Sequence, residues 1–281
     1  MKTVNLISGG KTSAYISANY GSDYNVFALV RIEDNKSKFK DKKIRQEVED
    51  RIQAPFIATA EDDIIIYTIL DLEQYIGNKI DWVSGKTFDK VLDTAGTLPD
   101  PLRRYCTTQM KLEPIFEWWR EKIKEPAEFR LGFRANEQGR AKRTLEKTNK
   151  NGCLEMKAIV GKRKTRNKWG IIEWQKPVFP LIKDNIYKDN IEKFWKGKPV
   201  RFAWMNNCVG CFHKTPLLIK KMYNKHPNKI EWFASKEKIK HKKDVWYKAK
   251  NLSFSQIIKW DNQTELFDDD FNECDSGYCG I

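Results

Sequence analysis

A glycine turn separates a short apolar run from a helix-forming segment near the start of the chain. Residues 4–7 are the apolar run, residues 14–19 favour a helix, and between them stands Ser8-Gly9-Gly10-Lys11-Thr12-Ser13. Adjacent glycines allow backbone conformations closed to other residues, so successive N–H groups and a helix N-terminus can face one anion. Three hydroxyls and a lysine ammonium add donors. The sequence therefore predicts a phosphate-binding loop over residues 8–13, called the glycine loop below.

The end of this loop also matches a Walker A motif. Gly10-Lys11-Thr12 reproduces the last residues of that motif. A Walker A loop, however, needs a second glycine five positions before Gly10, and Asn5 occupies that place. The Walker interpretation is therefore excluded, which leaves an anion loop of another kind or an ordinary turn between a strand and a helix.

Strand and helix patterns continue to alternate after the loop. Residues 24–32 (YNVFALVRI) predict a second strand that ends at Glu33 and Asp34, and residues 41–53 predict an amphipathic helix. Such alternation favours an α/β fold with a parallel sheet, in which ligands bind at the carboxyl ends of the strands. We therefore predict that Arg31 and Asp34 join the glycine loop in binding one ligand.

The rest of the chain supports coarser predictions. The β-branched run 64–70 favours a strand, with a helix near 72–76 and a further strand at 81–84. Pro177 and Pro180 limit residues 171–182 to an extended edge segment. Another strand is predicted at 127–133, and helices are predicted at 107–124, 190–196 and 216–224.

The composition fits a globular protein with a real core. The chain has 281 residues, of which 40% are hydrophobic and 12% aromatic. No apolar run approaches the roughly 20 residues that span a bilayer, and the first strand begins without a signal-peptide pattern. We therefore expect a cytoplasmic protein. In that compartment the six cysteines favour metal binding or catalysis over disulfides.

The positive charge of the chain is concentrated in two stretches. The formal net charge is +14, which favours polyanionic partners. Residues 142–168 carry ten Lys or Arg against two acids, and residues 214–250 carry twelve Lys against three acids. We expect the first stretch to be a mobile loop or lid. Both are candidates for binding DNA or RNA, although the aromatic residues within the second could equally form the inner face of lysine-rich helices.

Two further sets of polar residues have the composition of an anion site. In Cys106-Thr107-Thr108-Gln109-Met110-Lys111, the lysine lies about one helical turn beyond Thr107 and can reach a phosphate as a point charge. In Gly132-Phe133-Arg134-Ala135-Asn136-Glu137-Gln138-Gly139-Arg140, two arginines offer planar forks that match phosphate or sulfate, and the glutamate could fix one fork or hold magnesium. A buried cysteine at a helix start and a solvated loop are the alternatives.

The cysteines form two close pairs. Cys208-Val209-Gly210-Cys211 is a CxxC turn, and Cys274 and Cys279 are a second pair near the C-terminus. Four thiolates from two short loops make a tetrahedral site that zinc or an iron–sulfur cluster accepts. Cys106 is a fifth candidate, either as a ligand or as a sulfur carrier. Cys153 has no evident role, and His213 is expected at the surface.

Taken together, these motifs resemble the phosphoadenylyl-sulfate (PAPS) reductase branch of the adenine nucleotide alpha-hydrolase superfamily, which includes the DNA phosphorothioation sulfurtransferase. The glycine loop is similar to the SGGxDS pyrophosphate loop of that superfamily, with Thr12 where many members have Asp. Residues 106–114 are similar to its CT-x3-K-x2-P element, and residues 132–140 to its GIRxDExxR element, with Asn136 in place of Asp. The segment 179–195 is similar to a further stretch to which we assign no chemistry.

The resemblance implies a nucleotide-binding domain with a Rossmann-like sheet at residues 1–200, and a basic, cysteine-rich region at 201–281 packed on it. It implies that ATP binds with magnesium, is cleaved between its α and β phosphates, and adenylates an acceptor for sulfur transfer to a nucleic acid or nucleotide. The expected catalytic residues are Lys11, Cys106, Lys111, Arg134, Glu137 and Arg140; the expected metal ligands are Cys208, Cys211, Cys274 and Cys279, with a [4Fe–4S] cluster or zinc.

Two other functions remain open at this point. In a PAPS reductase, a cysteine thiolate would attack the sulfate sulfur, but residues 273–277 only partly match the ECGLH element that this activity implies. A catalytically silent nucleotide-binding module is the second alternative, because Thr12 and Asn136 replace acidic residues. The sequence does not indicate an oligomeric state.

Overall fold

A computed structural model describes residues 1–238 and 252–260. Cys274 and Cys279, the acidic segment 261–275 and part of the second basic stretch lie outside the described residues. Among those described, no helix is both long enough and apolar enough to cross a membrane.

The described chain is an α/β structure built around a mostly parallel central sheet. Its strands run in the spatial order β5-β2-β1-β6-β8-β7, and β7 is antiparallel to its neighbour, whereas the other pairs are parallel. Two short strands, β3 and β4, form a separate antiparallel pair. The strand bounds are β1 Thr3–Ile7, β2 Tyr24–Ala28, β3 Arg31–Ile32, β4 Ala58–Thr59, β5 Ile80–Val83, β6 Ala127–Arg130, β7 Leu154–Arg163 and β8 Arg166–Val178.

Helices flank this sheet, as the alternating pattern predicts. A π-helical turn, Thr108–Leu112, joins the fifth helix to the sixth. The helix bounds are α1 Lys11–Asn19, α2 Lys42–Ile52, α3 Ile64–Ile76, α4 Phe88–Ala95, α5 Tyr105–Thr107, α6 Glu113–Lys122, α7 Gln138–Leu145, α8 Pro180–Lys183, α9 Lys188–Trp195, α10 Pro216–Lys225, α11 Pro227–Ser235 and α12 Phe254–Ile258.

The order of the strands reverses between β1 and β6. From β1 the chain moves to β2 and β5 on one side, and it then returns to β6 and β8 on the other. In open parallel sheets, ligands bind outside the carboxyl ends of the strands at such a reversal. The glycine loop follows β1, and residues 131–140 follow β6. The topology therefore places both predicted anion motifs at this position.

Three buried apolar clusters hold the layers together. One packs α1, α3 and α9 on one sheet face, and another packs α6 and Trp174 with β1 and β6. The third joins Val30, Ile32 and Phe88 to Leu218 and Phe233 of the C-terminal helices. The region after residue 200 thus shares a core with residues from the first hundred.

The predicted strand at 24–32 is two strands. β2 ends at Ala28, the Leu29 N–H donates to the Val83 carbonyl at 2.9 Å, and Arg31–Ile32 pairs with Ala58–Thr59 outside the main sheet. Residues 25–32 are all buried, so the hydrophobicity of the run does not indicate where the chain changes from one strand partner to another.

The predicted strand at 64–70 is wrong, because Ile64–Ile76 is one helix. The Asp62 carboxylate accepts the Ile64 N–H at 3.0 Å at the helix start. Ile65, Ile66 and Ile69 are buried at helical spacing. Packing of this face overrides the strand preference of β-branched residues.

The prediction of a mobile loop or lid within residues 142–168 is also wrong. The helix α7 continues to Leu145, and residues 154–178 form the long β7–β8 hairpin. The strand β8 lies between β6 and β7 rather than at the sheet edge. Pro177 is nonetheless accommodated. The pairing of β8 with β7 ends at Gln175, so at Pro177 the strand has a neighbour only on the β6 side.

The predictions for shorter elements are confirmed. The strand predicted at 81–84 is β5, and the helices predicted at 190–196 and 216–224 are α9 and α10. The helix predicted over 107–124 is present as α5, the π-helical turn and α6 in succession.

Candidate functional site

The glycine loop is closed by hydrogen bonds among its own residues. The Ser13 hydroxyl accepts the Ser8 N–H at 3.1 Å and donates to the Gly10 carbonyl at 3.1 Å. Gly9 has φ +78°, in the left-handed region that favours glycine. Helix α1 begins directly after Gly10, and no side chain caps this N-terminus. The first-turn N–H groups of α1 thus lack a side-chain acceptor, which is the arrangement that anion loops use.

Both glycines of the loop are in close contact with distant segments. A Cβ atom on Gly9 would lie 2.5 Å from the Ile65 side chain, and one on Gly10 would lie 2.2 Å from the Asn206 amide. A Cβ on Gly132, after β6, would lie 3.4 Å from the Thr12 methyl group. The loop is therefore packed between the start of α3, the end of β6 and the chain just before Cys208.

Lys11 is oriented toward α9. Its ammonium forms an ion pair with the Glu192 carboxylate, and its carbonyl accepts the Trp195 indole N–H at 2.9 Å. Both charged side chains are partly exposed, so the lysine can exchange this partner at little cost.

The arginines after β6 share one buried carboxylate. Glu137 accepts from the Arg134 Nε at 3.2 Å and from the Arg140 Nη1 at 2.7 Å. The Arg134 N–H also donates to it at 2.9 Å, and the Arg140 guanidinium lies over the Phe133 ring at 4.1 Å. Two cations held by one anion leave a net positive charge at this strand end. This geometry matches the role predicted for Glu137, which is to fix an arginine side chain.

Arg31 and Asp34 are engaged in local structure. The Arg31 guanidinium donates to the Ser84 hydroxyl at 2.8 Å and to the carbonyls of Pro55 and Gly85 at 2.7 and 2.6 Å, and burial lowers its pKa. Asp34 accepts the N–H and hydroxyl of Ser37. A nucleotide contact from either residue would have to replace these bonds.

Three cysteines line one cavity, the thiol pocket. Cys106 comes from α5, and Cys208 and Cys211 come from the CxxC turn. The pocket is small, with a volume of about 40 Å³, and its lining contains cations and aromatic rings as well as thiols. Its other lining residues include Arg104, Lys111, Phe212, His213 and Phe233. The tertiary structure thus brings Cys106 and Lys111 together with the CxxC pair, a relation that the sequence left open.

The CxxC turn is fixed on several sides. The Val209 N–H donates to the Ala60 carbonyl at 2.9 Å, and the Cys211 N–H donates to the Cys208 carbonyl at 3.0 Å. The buried Lys214 ammonium donates to the Cys208 carbonyl at 2.6 Å. A Cβ on Gly210 would lie 2.4 Å from the Phe233 ring, so a larger residue does not fit. Because Asn206 touches Gly10, this turn is also the link between the thiol pocket and the glycine loop.

Glu61 is a site residue that the sequence analysis missed. Its carboxylate is 1% exposed and pairs with the Lys111 ammonium at 3.0 Å. Its second oxygen, Oε2, is buried without a hydrogen-bond partner among the described residues. Glu61 begins an acidic run before α3, in which Asp62 pairs with His226 at 3.1 Å and Asp63 with Lys229 at 2.7 Å. The acidic run was visible in the sequence, but its partners are 50 to 168 residues away.

His213 lies in the thiol pocket, not at the open surface as expected. Burial, followed by the positive charges of Arg104, Lys214 and Arg140, lowers its pKa to about 4. The imidazole is therefore neutral at neutral pH. Arg140, one of the two arginines after β6, is therefore close enough to contribute to the positive charge around this imidazole.

The second basic stretch is partly internal. Trp232 and Phe233 are buried in the core, and Lys229 donates to the Glu61 carbonyl. These rings are thus inner-face residues of lysine-rich helices, and they are not available to stack on bases. Trp246 and Tyr247 lie outside the described residues.

The described residues contain two of the four predicted metal ligands. Cys208 and Cys211 share a pocket with Cys106, so three thiols fit the donor chemistry of zinc or iron–sulfur sites. No group of three or more His, Cys, Asp or Glu side chains within residues 1–238 and 252–260 is arranged to hold a metal ion. Completing a site would require ligands from outside these ranges, and the four-thiolate site stays a prediction. Cys153 is buried elsewhere, and burial raises its pKa.

Comparisons with known proteins do not identify a family for this chain. No family model, no curated protein and no solved structure matches it. The sequence motifs and the geometry of the site are therefore what indicate a function.

Proposed function

We propose that the chain binds ATP on the glycine loop and cleaves it between the α and β phosphates, so that AMP is transferred to an acceptor. One observation carries this proposal: the glycine loop, the arginine pair after β6 and the CxxC turn converge where the strand order reverses. Each motif alone has an ordinary structural explanation. Their convergence at the position where parallel sheets bind ligands favours a nucleotide site.

The glycine loop suits the pyrophosphate part of ATP. Its backbone N–H groups and the N-terminus of α1 offer donors that need no reorganisation. Ser8 and Ser13 hold the loop in shape through their mutual contacts. Lys11 can leave the partly exposed Glu192 and neutralise a phosphate oxygen. Magnesium bound with ATP would neutralise further charge. The sequence offered Glu137 either to hold magnesium or to fix an arginine, and its two carboxylate oxygens accept from Arg134 and Arg140.

The arginine pair suits the α phosphate. Arg134 and Arg140 are held by Glu137 with at most 15% of their side chains exposed. Guanidinium groups fixed in this way stabilise charge that develops on phosphate oxygens during transfer. In the reaction, an acceptor oxygen forms a bond to the α phosphorus, the bond from that phosphorus to the bridging oxygen of the β phosphate breaks, and pyrophosphate leaves with the electron pair. The acceptor proton passes to water.

The thiol pocket suits a sulfur step after adenylation. A sulfur nucleophile attacks the acceptor atom that bears the adenylated oxygen, the bond between that atom and the oxygen breaks, and AMP leaves with the oxygen and the electron pair of the bond. Cys106 is the proposed carrier because it lines the pocket beside Lys111 and the CxxC pair. Positive charge from Arg104 and Lys214 around His213 favours anionic groups in this pocket.

ATP cleavage is tested by measuring AMP and pyrophosphate released from ATP and magnesium, with and without nucleic acid as the acceptor. We expect release by the wild-type protein and a loss of about 10²-fold in Arg134→Ala, the size typical for removing one fixed donor to a transition-state oxygen. Lys11→Ala should also slow release.

Lys90→Ala is the matched control, because Lys90 is an exposed lysine with an acidic neighbour, Glu33, at 3.9 Å and lies on α4. Circular dichroism spectra of the variants would confirm that each one folds. Release that is equal in wild type and Lys11→Ala, or absent from wild type with every acceptor, would refute ATP cleavage. Sulfite release from PAPS with a thiol donor would instead support the reductase alternative.

A further inference from the structure

The β7–β8 hairpin extends beyond the central sheet. Strand β6 pairs with β8 only from Ala127, opposite Gln175, to Arg130, opposite Val178. The remaining part of β8 has β7 as its partner, which makes residues 156–172 a two-stranded ribbon, called the arm below. Because β6 and β8 are parallel, the arm extends past the amino-terminal ends of the strands of the central sheet. At about 3.3 Å per residue, Trp169 lies roughly 20 Å beyond the start of β6, on the side opposite the glycine loop.

One face of the arm exposes large apolar side chains. Ile159 lies opposite Trp169, and Lys157 lies opposite Ile171, so these four residues share a face. Trp169 is 56% exposed and Ile171 is 70% exposed. The other face carries Ala158, which packs with Trp174 and α6 in the core. The exposed face therefore has no role in the core, and a cluster of this kind usually marks a binding surface.

The charge of the arm has one sign. Residues 156–172 contain six Lys or Arg and no Asp or Glu. The Lys157 ammonium lies 5.9 Å from the centre of the Trp169 ring, so a cation stands beside the exposed aromatic surface. An apolar protein partner would gain nothing from six like charges, whereas a polyanion with flat apolar groups matches both properties of the arm.

We infer that the arm binds single-stranded nucleic acid, with a base stacked on Trp169 and phosphates near the surrounding lysines. A single strand is favoured over a duplex because base faces are accessible only when bases are unpaired, and the centre of this face is apolar rather than a set of donors for base edges. The inference goes beyond the proposed ATP cleavage. It needs no nucleotide at the glycine loop, so either proposal can fail alone.

The test measures binding of a fluorescently labelled oligothymidylate of about 20 nucleotides, longer than the ~4–16 nucleotides covered by typical single-strand sites, by anisotropy without ATP. We expect Trp169→Ala to weaken binding about 5- to 150-fold, the range for loss of one base–aromatic stack. Trp169→Phe should recover part of the affinity. Trp260→Ala, which removes an exposed tryptophan outside the arm, should leave the affinity unchanged.

The salt dependence tests the phosphate contacts separately. In Lys157→Gln/Lys162→Gln, which removes two lysines on the face of Trp169, the slope of log affinity against log salt should become less steep by about 1.4, since each single-strand phosphate contact contributes about 0.7. Both lysines are exposed, so unchanged melting temperatures are expected. Equal binding by wild type and Trp169→Ala would overturn the inference. Tighter binding to the matching duplex, or binding to anionic phospholipid vesicles but not to the oligonucleotide, would overturn it too.

Discussion

The glycine loop and the thiol pocket are linked through Asn206, which lies beside Gly10 just before the CxxC turn, but each is held together in a different way. The loop is closed by backbone and hydroxyl groups within six consecutive residues. The thiol pocket is assembled from segments about a hundred residues apart, and it contains Lys111, Arg104 and a neutral histidine near one buried carboxylate, Glu61. The shape of the loop therefore depends on local backbone geometry, whereas the pocket depends on compensation between distant charges. Substitutions and pH should affect the two regions differently.

The largest loss of folding stability is expected when the charge compensation in the thiol pocket is removed. Glu61→Ala deletes the carboxylate that pairs with the largely buried Lys111. Breaking a buried ion pair on one side costs about 3–5 kcal/mol, because the remaining charge is left in a poorly solvated place. Urea unfolding measures the loss. Glu117→Ala is the control, since its pair with Arg120 is exposed and such pairs contribute about 0–1 kcal/mol. Similar losses in the two variants would show that the buried pair does not stabilise the pocket.

A smaller loss of folding stability is expected when the backbone of the glycine loop is restricted. Gly9→Ala combines the left-handed penalty of about 1–2 kcal/mol with a contact at 2.5 Å to Ile65, and overpacking of this kind adds about 1–3 kcal/mol. Release of AMP and pyrophosphate from ATP should fall as well, because the loop changes shape. Gly77→Ala is the matched control: its φ is +62°, yet no atom lies within 4 Å of the added Cβ. If both variants unfold alike, close packing does not shape the loop.

The smallest expected effect is a change in stability with pH. Of the two regions, we expect it in the thiol pocket, through His213. The pKa of His213 is about 4 in the folded protein and about 6.5 when unfolded. Between these values the unfolded chain binds more protons, so stability falls as pH decreases from about 6.5 to 4. Allowing for partial solvent screening of a half-buried group, we expect about 1–3 kcal/mol.

Urea unfolding of wild type and His213→Gln at about pH 7 and pH 4.5 isolates this contribution from the other groups that titrate there. The variant should lose less stability than the wild type on acidification. Equal losses would mean that the histidine is protonated in the folded pocket, which would contradict its neutral state.

Local patterns predicted the features that depend on neighbouring residues. The turn at Gly9 and Gly10, the start of α1 and the strand before them follow from residue types within a dozen positions. The strands and helices at 81–84, 190–196 and 216–224 were also predictable. The pattern failed at residues 64–70, where isoleucines favour a strand but the packing of one face makes a helix, and at 171–182, where Pro177 indicated an edge although β8 lies inside the sheet.

The sequence by itself determined an α/β fold, a glycine turn between a strand and a helix at residues 8–13, and the residue types from which the proposed site is built. Only the tertiary structure decided that Cys106 and Lys111 join the CxxC turn, that Glu61 balances the lysine, that Arg31 is engaged locally, and that a basic stretch is an exposed ribbon. The physical reason is the separation along the chain between the residues that interact. Backbone conformation is set by adjacent residues, whereas burial, charge pairing and strand partners depend on residues that only the folded chain brings together.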